Sequence, residues 1–293
     1  MPGADQTSGQ VHDMDAQFTL AHVPDLAGLN AARAEAAAAA LARWPVHRGL
    51  RYGAGAGRSL NIFPAQGATP APVLFFIHGG FWRSMEADTF SFLADGFVPF
   101  GAVLVVIDYP LMPSVRLAEV LDACAEALAW THAHIADYGG DPDRITICGN
   151  SAGGHLVAEL ADMGRGLTRA TGAPGPGTPI AGAVPISGIF DLEPVTRSFQ
   201  NDPLQLTPAE VRDLSPLTRP YRPVVPVIAA VGGDETDEFL RQNRAFAALC
   251  AQSQPARTVE VPGTNHVTVL TEALARPDNA FNKQVRASMG LAL

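Results

Sequence analysis

Five consecutive apolar residues, Val103 to Ile107, constrain the fold of this chain more than any other stretch of its sequence. A strand with one face in water alternates polar and apolar residues, whereas a run without alternation is typical of a strand covered on both faces. Strands of this kind occur mainly in parallel sheets, where helices connect successive strands and cover both faces. The run therefore predicts an α/β protein.

From about residue 50 onward, short β-rich segments alternate with helical ones. This alternation predicts a mostly parallel central sheet flanked by helices. The predicted strands are Ser59–Phe63, Val73–Ile77, Val103–Tyr109, Ile145–Cys148, Ile180–Ile186, Val224–Val231 and Thr258–Val261. The predicted helices are Asp25–Trp44, Leu117–Ala136, Ala152–Met163 and Glu238–Ala251.

The sequence predicts an N-terminal region and one large domain. Residues 1–45 are predicted to form a polar arm followed by an Ala-rich helix that packs on the body, and residues 46–293 a single domain. Breaker-rich residues 164–179 are predicted to be a surface loop. Residues 191–223 form a long insertion between two strands, with a helix start at Thr207. Because insertions of this size often cover a site, we expect a small lid there.

Charge and composition exclude several classes of partner. Asp and Glu total 29 and Lys and Arg total 20, a net charge of −9, and the basic residues are scattered singly, so no surface for nucleic acid is predicted. The first thirty residues contain no Lys or Arg, unlike a signal peptide. The most apolar run, 97–107, is shorter than the roughly 20 residues of a membrane span. We therefore expect a cytoplasmic protein without a membrane partner.

The sequence also gives no sign of a metal or cofactor. Cys124, Cys148 and Cys250 are too few and too far apart for a disulfide framework or a zinc cluster, and buried thiols are expected. No Walker, H-E-x-x-H or C-x-x-C motif is present. We predict neither a metal ion nor a cofactor.

Residues 149–153 have the pattern G-x-S-x-G and join a predicted strand to a predicted helix. So sharp a turn holds its central residue, Ser151, in a strained backbone conformation, which requires small neighbours. The residues at 149, 152, 153 and 154 are glycine or alanine. We predict that Ser151 is a nucleophile at the edge of the sheet, the alternative being a Gly-rich turn with an idle serine.

A second glycine-rich segment, 78–82, follows the predicted strand Val73–Ile77. Adjacent glycines let backbone N–H groups face a ligand, as a developing oxyanion requires. The predicted oxyanion-hole donors are the N–H groups of Gly79, Gly80, Phe81 and Ala152. A plain tight turn is the alternative, and His78 is expected to support the loop rather than act as a base.

A serine nucleophile needs a general base and an acid that orients the base. In this architecture the acid and then the base follow the serine along the chain, each just after a strand. His266 follows the last predicted strand and is the only histidine after His155, so it is the predicted base. The acid comes from the loop after Val224–Val231, where Asp234 and Glu235 are both candidates.

From about Tyr52 to Leu270 the chain resembles α/β-hydrolases of the kynurenine formamidase and bacterial esterase group. The motifs that carry the resemblance are His78–Trp82, Gly139–Pro142, Gly149–Leu156, Ser187–Leu192, Glu235–Gln242 and Asn265–His266. In that family the acid lies three residues after the glycine that ends its strand, here Gly232, which favours Glu235 over Asp234. Animal formamidases have Asp at this position and often His at Asn150, and both departures favour the esterase branch.

The resemblance implies an α/β-hydrolase fold and a serine hydrolase. Our first expectation is cleavage of short-chain or aromatic esters through an acyl-enzyme, and the second is hydrolysis of aryl formamides. A catalytically silent receptor for small molecules is a third. The partner expected is thus a small ester or amide, and the oligomeric state stays open. The residues expected to line its pocket are Phe81, Trp82, Leu111, Met112, Phe190 and Val267.

Overall fold

The computed structural model describes residues 13–162 and 180–291, so the predicted loop at 164–179 lies outside the described residues. The strands are β1 His47–Arg51, β2 Ser59–Phe63, β3 Ala71–Ile77, β4 Val103–Ile107, β5 Gly140–Asn150, β6 Gly182–Ile186, β7 Val227–Gly232 and β8 Ala256–Val261. They form one eight-stranded sheet in the order β1-β2-β4-β3-β5-β6-β7-β8. Strand β2 pairs antiparallel with β1 and β4, and every other pair is parallel. The predicted mostly parallel sheet is confirmed.

Helices cover both faces of this sheet. They are α1 Met14–Gln17, α2 Leu26–Arg43, α3 Ala94–Phe97, α4 Leu117–His134, α5 Ala152–Ala161, α6 Glu193–Thr196, α7 Asn201–Leu204, α8 Pro208–Asp213, α9 Asp237–Cys250 and α10 Ala280–Ser288. Short 3-10 segments occupy Ala87–Leu93, Val98–Phe100 and Ile135–Tyr138, and Val269–Leu274 is a π-helical turn. Within the described ranges, no helix is both long and apolar enough to cross a bilayer.

Strand β3 shows why the run in β4 lacks alternation. Val73, Phe75 and Ile77 pack with α4, α5 and α9 on one face of the sheet. Leu74 and Phe76 pack with α10 and the 3-10 segment Ala87–Leu93 on the other. All five residues of the neighbouring strand β4 are likewise fully buried. An apolar side chain is therefore required at every position of these central strands.

The departures from the predicted elements have local causes. Strand β1, with the sequence H-R-G-L-R, is an exposed edge strand and carries no apolar pattern. Strand β5 begins at Gly140, before the predicted start at Ile145. The sequence did not indicate this earlier start because residues 140–144 are polar and contain a proline. Helix α10 buries Phe281 and Val285, too short a pattern to stand out in the sequence. Helix α8 begins as predicted, with Thr207 as its N-cap.

The N-terminal segment, residues 13–23, is tied to the body. Met14 and Phe18 are buried, and the Phe18 carbonyl accepts a hydrogen bond from Gln200 Nε2 at 3.0 Å. The Phe199 backbone N–H donates to Asp15 Oδ1 at 2.6 Å. Two isolated apolar residues make no periodic pattern, so the sequence showed only a polar arm here. The segment therefore lies against the turn before helix α7 and the start of helix α9.

The insertion, residues 191–223, is anchored to the end of α5 by Arg219. Its guanidinium contacts Glu159 at 2.7 Å and Asp162 at 2.5 Å. The Glu159 side chain is fully buried and the Arg219 side chain is 11% exposed. Charges removed from water to this degree need a partner of opposite sign. Arg219 therefore fixes the insertion on the body of the molecule.

We expect Arg219→Met to lower the free energy of unfolding by about 3 kcal/mol, because it removes the guanidinium from a buried carboxylate. Urea denaturation monitored by circular dichroism measures the loss. The matched control is Arg212→Met, since the Arg212–Asp213 pair is 71% and 53% exposed and is worth less than about 1 kcal/mol. Equal losses in the two variants would contradict the anchoring role.

Candidate active site

Ser151 lies in the turn between β5 and α5. Its backbone has φ 59° and ψ −121°, a strained conformation for a residue other than glycine. A Cβ atom on Gly153 would lie 2.0 Å from the Ile77 carbonyl oxygen, and one on Gly149 would lie 2.5 Å from the Gly153 carbonyl oxygen. Both positions therefore require glycine, as the motif predicts. The geometry places Ser151 at the carboxyl edge of the sheet, before the first residue of α5.

The loop 78–82 lies directly against this turn. A Cβ atom on Gly79 would lie 2.9 Å from the Asn150 carbonyl oxygen and 3.1 Å from Ser151 Cβ. Gly80, Phe81 and Trp82 follow with φ values of 104°, 49° and 56°. The positive φ values turn the chain around the space beside Ser151, so the structure brings the predicted donor loop and the predicted nucleophile together. The remaining predicted donor, Ala152, is the first residue of α5.

His78 supports the loop from inside the protein. Its ring stacks between Tyr109 and Phe90, with centroids 4.2 and 5.9 Å away. His78 Nδ1 donates to the Gly79 carbonyl oxygen at 2.8 Å, and the Tyr109 hydroxyl donates to the His78 carbonyl oxygen at 2.9 Å. Burial lowers the pKa of His78, which keeps the ring neutral at physiological pH. The side chain holds the loop, as expected from the sequence.

Glu235 and His266 contact each other. His266 Nδ1 donates to Glu235 Oε2 at 2.6 Å. The other carboxylate oxygen, Oε1, accepts from the Gly232 N–H at 2.8 Å and from the Ser187 hydroxyl. Asp234, the alternative acid, is exposed, and its backbone N–H donates to the Thr264 carbonyl oxygen. Of the two candidate carboxylates, the structure brings Glu235 to the imidazole.

Sequence reasoning assigned no role to Ser187, although its hydroxyl binds the Glu235 carboxylate. Ser187 follows β6 directly and has φ 50°, and its N–H donates to the Ala230 carbonyl oxygen at 2.7 Å. Two donors on Oε1 fix the carboxylate with Oε2 toward the imidazole. Ser187 could have been recognised from its position in the sequence, since it follows a predicted strand and belongs to one of the motifs that carry the family resemblance.

Ser151 and His266 border one cavity of about 80 Å³. Its polar edge consists of Gly79, Gly80, Asn150, Ser151 and His266. Its apolar walls include Phe18, Phe81, Phe90, Phe239 and Val267. The Phe239 ring lies 4.5 Å from the His266 ring, and Phe18 lies edge-on to Phe239 at 5.7 Å and to Phe81 at 6.4 Å. The predicted nucleophile and base thus face a small, aromatic space.

Four of the predicted pocket residues lie elsewhere. Phe190 stacks on Phe246 at 4.0 Å, and Trp82 packs edge-on to His155 at 5.2 Å. Met112 is buried with its N–H bound to the Trp82 carbonyl oxygen, and Leu111 packs on the same core cluster. None of these four is among the described residues that border the cavity. For Trp82, the left-handed conformation at 81–82 sends its side chain in a different direction from that of Phe81. Phe81 and Val267 do line the cavity.

The insertion at 191–223, which the sequence predicts to be a small lid, does not border this cavity in the described residues. The described residues that border the cavity include Phe18, Thr19 and Leu20. The insertion instead contacts the outer side of this segment, where Gln200 holds the Phe18 carbonyl oxygen. The N-terminal segment is therefore the cover of the site, with the insertion behind it. Within the same described ranges, no three His, Cys, Asp or Glu side chains are grouped closely enough to hold a metal ion.

Comparison with known proteins agrees with this fold. A family model described as alpha/beta hydrolase fold matches residues 74–270. The kynurenine formamidase of Salmo salar is 24% identical over 248 residues, which cover 82% of this chain and 80% of that protein. Esterase LipQ of Mycobacterium tuberculosis is 29% identical over 239 residues, 74% of this chain and 56% of LipQ.

Solved structures show the same architecture. A candidate thioesterase from Silicibacter sp. TM1040 superposes with a TM-score of 0.79 at 25% identity, covering 92% of this chain and 98% of that one. An esterase from Pyrobaculum calidifontis has a TM-score of 0.66 at 20% identity, over 90% of this chain and 94% of its own, and supports the fold alone.

Removing the Ser187 hydroxyl tests its hold on Glu235. We expect Ser187→Ala to slow labelling of Ser151 by a fluorophosphonate probe roughly 10-fold, the effect of one lost hydrogen bond to a charged group. The measurement is the second-order labelling rate constant. Ser198→Ala is the matched control, because this buried serine donates to the Val195 carbonyl oxygen within the insertion. A rate unchanged by Ser187→Ala would contradict the positioning role.

Proposed function

Because this chain belongs to the α/β-hydrolase fold family, we propose that it is a serine hydrolase that cleaves short-chain or aromatic carboxylic esters. The family, and relatives that are esterases and formamidases, support hydrolase activity for this protein. The proposed catalytic residues are Ser151, His266 and Glu235. A cytoplasmic location and a small ester or amide as the partner stay predictions of the sequence.

One observation carries the proposal. His266 Nδ1 is held by the Glu235 carboxylate at 2.6 Å while its ring borders the cavity that Ser151 also borders. A carboxylate on Nδ1 keeps the proton there, so Nε2 is left free to accept one. Nε2 is then the basic atom available to a hydroxyl in the cavity. This is the arrangement that a serine nucleophile requires.

The reaction follows in two halves. Ser151 Oγ attacks the substrate carbonyl carbon while His266 Nε2 takes the hydroxyl proton, and Glu235 stabilises the imidazolium. The N–H groups of the 79–81 loop and of residue 152 bind the oxyanion of the tetrahedral intermediate. The intermediate collapses to an acyl-enzyme as the leaving alcohol receives the proton. Water then attacks the acyl group with His266 as base, and the acid leaves. No step needs a cofactor.

The cavity favours small acyl groups. Its volume of about 80 Å³ is below the roughly 300–1,000 Å³ of pockets that enclose drug-sized ligands. The walls formed by Phe18, Phe81 and Phe239 favour an aromatic group on the substrate, since aromatic rings pack edge-on or offset. These features support esters with short acyl chains or aromatic alcohols.

Formamide hydrolysis is the second candidate. Two kynurenine formamidases, from Salmo salar and Danio rerio, are 24% and 26% identical over 82% and 75% of this chain. A formyl group is the smallest acyl group and fits the same narrow space. Against strict formamidase identity stand Glu235 and Asn150, which differ from the residues usual in animal formamidases.

The catalytic assignment makes a direct prediction. Ser151→Ala should lower kcat/KM for 4-nitrophenyl acetate by about 10⁴-fold or more, since the nucleophile is lost. Glu235→Gln should lower it by about 10²- to 10⁴-fold, because an amide no longer fixes the imidazole tautomer. Asp234→Asn, the matched control on the adjacent residue, should stay within about twofold. If Asp234→Asn had the larger effect, the acid would be misassigned.

A substrate comparison decides between ester and formamide. We expect kcat/KM of the wild type to be higher for phenyl acetate than for N-formylkynurenine. We also expect it to fall when phenyl octanoate replaces phenyl acetate, because the cavity is too narrow for a long acyl chain. Release of phenol and of formate is measured, with Ser151→Ala as the background. A higher value for N-formylkynurenine would make the protein a formamidase.

A further inference from the structure

A cationic side chain borders the catalytic cavity and takes no part in the proposed mechanism. Arg33 extends from α2 to the cavity, where its guanidinium lies 5.8 Å from the centre of the Phe90 ring. One of its nitrogens, Nη2, donates to Asn30 Oδ1 at 3.1 Å on the exposed side. The Nε atom is buried and has no hydrogen-bond partner in the part of the chain that the structure describes.

No carboxylate among the described residues forms an ion pair with Arg33. The neighbouring arginines differ in this respect, since Arg43 pairs with Asp95 and Arg48 with Asp88. Burial alone lowers the pKa of Arg33, which nevertheless stays charged at neutral pH. A buried charged N–H without an acceptor is costly, so an acceptor supplied by a ligand would be bound strongly.

The surroundings of Arg33 select the kind of ligand. Apart from Arg33 and His266, the described residues that border the catalytic cavity are neutral, so no acidic side chain on its walls competes for the guanidinium. The N–H groups of a guanidinium are spaced to donate in parallel to both oxygens of one carboxylate. Arg33 also borders a wider cavity of about 520 Å³ formed by α2 and the π-helical turn. This second cavity does include Asp95 and Glu272. An anion bound to the Arg33 guanidinium would lie between the two cavities.

We propose that Arg33 binds a carboxylate of the substrate, so that the preferred substrates are esters with an anionic group remote from the bond that is cleaved. This proposal rests on the proposed function, because it assigns a substrate class to the same site. The scissile carbonyl lies at Ser151, and the carboxylate lies against α2. Arg33 is a specificity-determining residue and plays no part in the transfer of protons.

Matched substrates test the proposal. On the alcohol side, 4-acetoxybenzoate is compared with its methyl ester, and on the acyl side, phenyl hydrogen succinate is compared with phenyl methyl succinate. The wild type is expected to prefer the anionic member of at least one pair. Arg33→Met should reduce kcat/KM for that member roughly 10- to 100-fold, the range for a lost hydrogen bond to a charged group. Its neutral counterpart should change by less than about threefold.

Two further variants serve as controls. Arg33→Lys keeps the charge and loses the paired donors, so its anionic preference should be intermediate. Arg257→Met removes an exposed arginine on β8 and should leave both ratios unchanged. Circular dichroism and Tm verify the fold of each variant. Equal effects of Arg33→Met on the anionic and neutral members would overturn the proposal. If the wild type hydrolysed none of these esters, the proposed function would be overturned instead.

A binding experiment is independent of catalysis. Titration calorimetry with 4-hydroxybenzoate and with its methyl ester compares the same ring with and without a carboxylate. Tighter binding of the anion to the wild type, lost in Arg33→Met and unaffected in Ser151→Ala, supports the site. Equal affinity of the wild type for the two compounds would contradict it.

Discussion

The close approach of β3 to the first turn of α5 is the constraint on which the site depends. Residues Ile77 and Gly149 are paired in register, so β3 and β5 end level with each other. The space between the Ile77 carbonyl and Gly153 is too small for a Cβ atom, and so is the space between Gly79 and the Asn150 carbonyl. The two glycine-rich motifs are therefore two sides of one contact. That contact holds the strained backbone of Ser151 and sets the donor loop beside its hydroxyl.

The same parallel register extends across the sheet. Ile186 pairs with Ala230, and Gly232 pairs with Val261, so β6, β7 and β8 also end along one edge. Ser187 comes directly after β6, Glu235 three residues after the end of β7, and His266 in the loop after β8. Each side chain thus lies next to the one it contacts, in the order hydroxyl, carboxylate and imidazole. Residues far apart in sequence meet because adjacent parallel strands present their carboxyl ends together.

This origin explains what could be predicted from the sequence. The buried strands and the turn at Ser151 follow from local patterns, such as unbroken apolar runs and small residues beside a sharp turn. His266 follows from its place in chain order after the last strand, whereas the choice of Glu235 over Asp234 needed the family resemblance. The walls of the cavity do not, because the direction of a side chain such as Trp82 depends on φ values that the residue type does not reveal. The edge strand β1 was missed since polar residues at a sheet edge carry no burial pattern. Ser187 needed the register of β6 and β7, which is a property of the folded sheet.

The position of Phe18 could not be predicted for a further reason, which bears on how the site works. The N-terminal segment is held from outside by Gln200 and presses Phe18 against Phe239, which in turn lies on the His266 ring. The side chains of His266 and Glu235 are 10% and 1% exposed, and a hydrogen bond to a charged group is stronger where water is excluded. The cover of the site and the His266 ring thus belong to one aromatic cluster. A chain segment without a recognisable pattern of its own therefore completes the environment of the proposed catalytic groups.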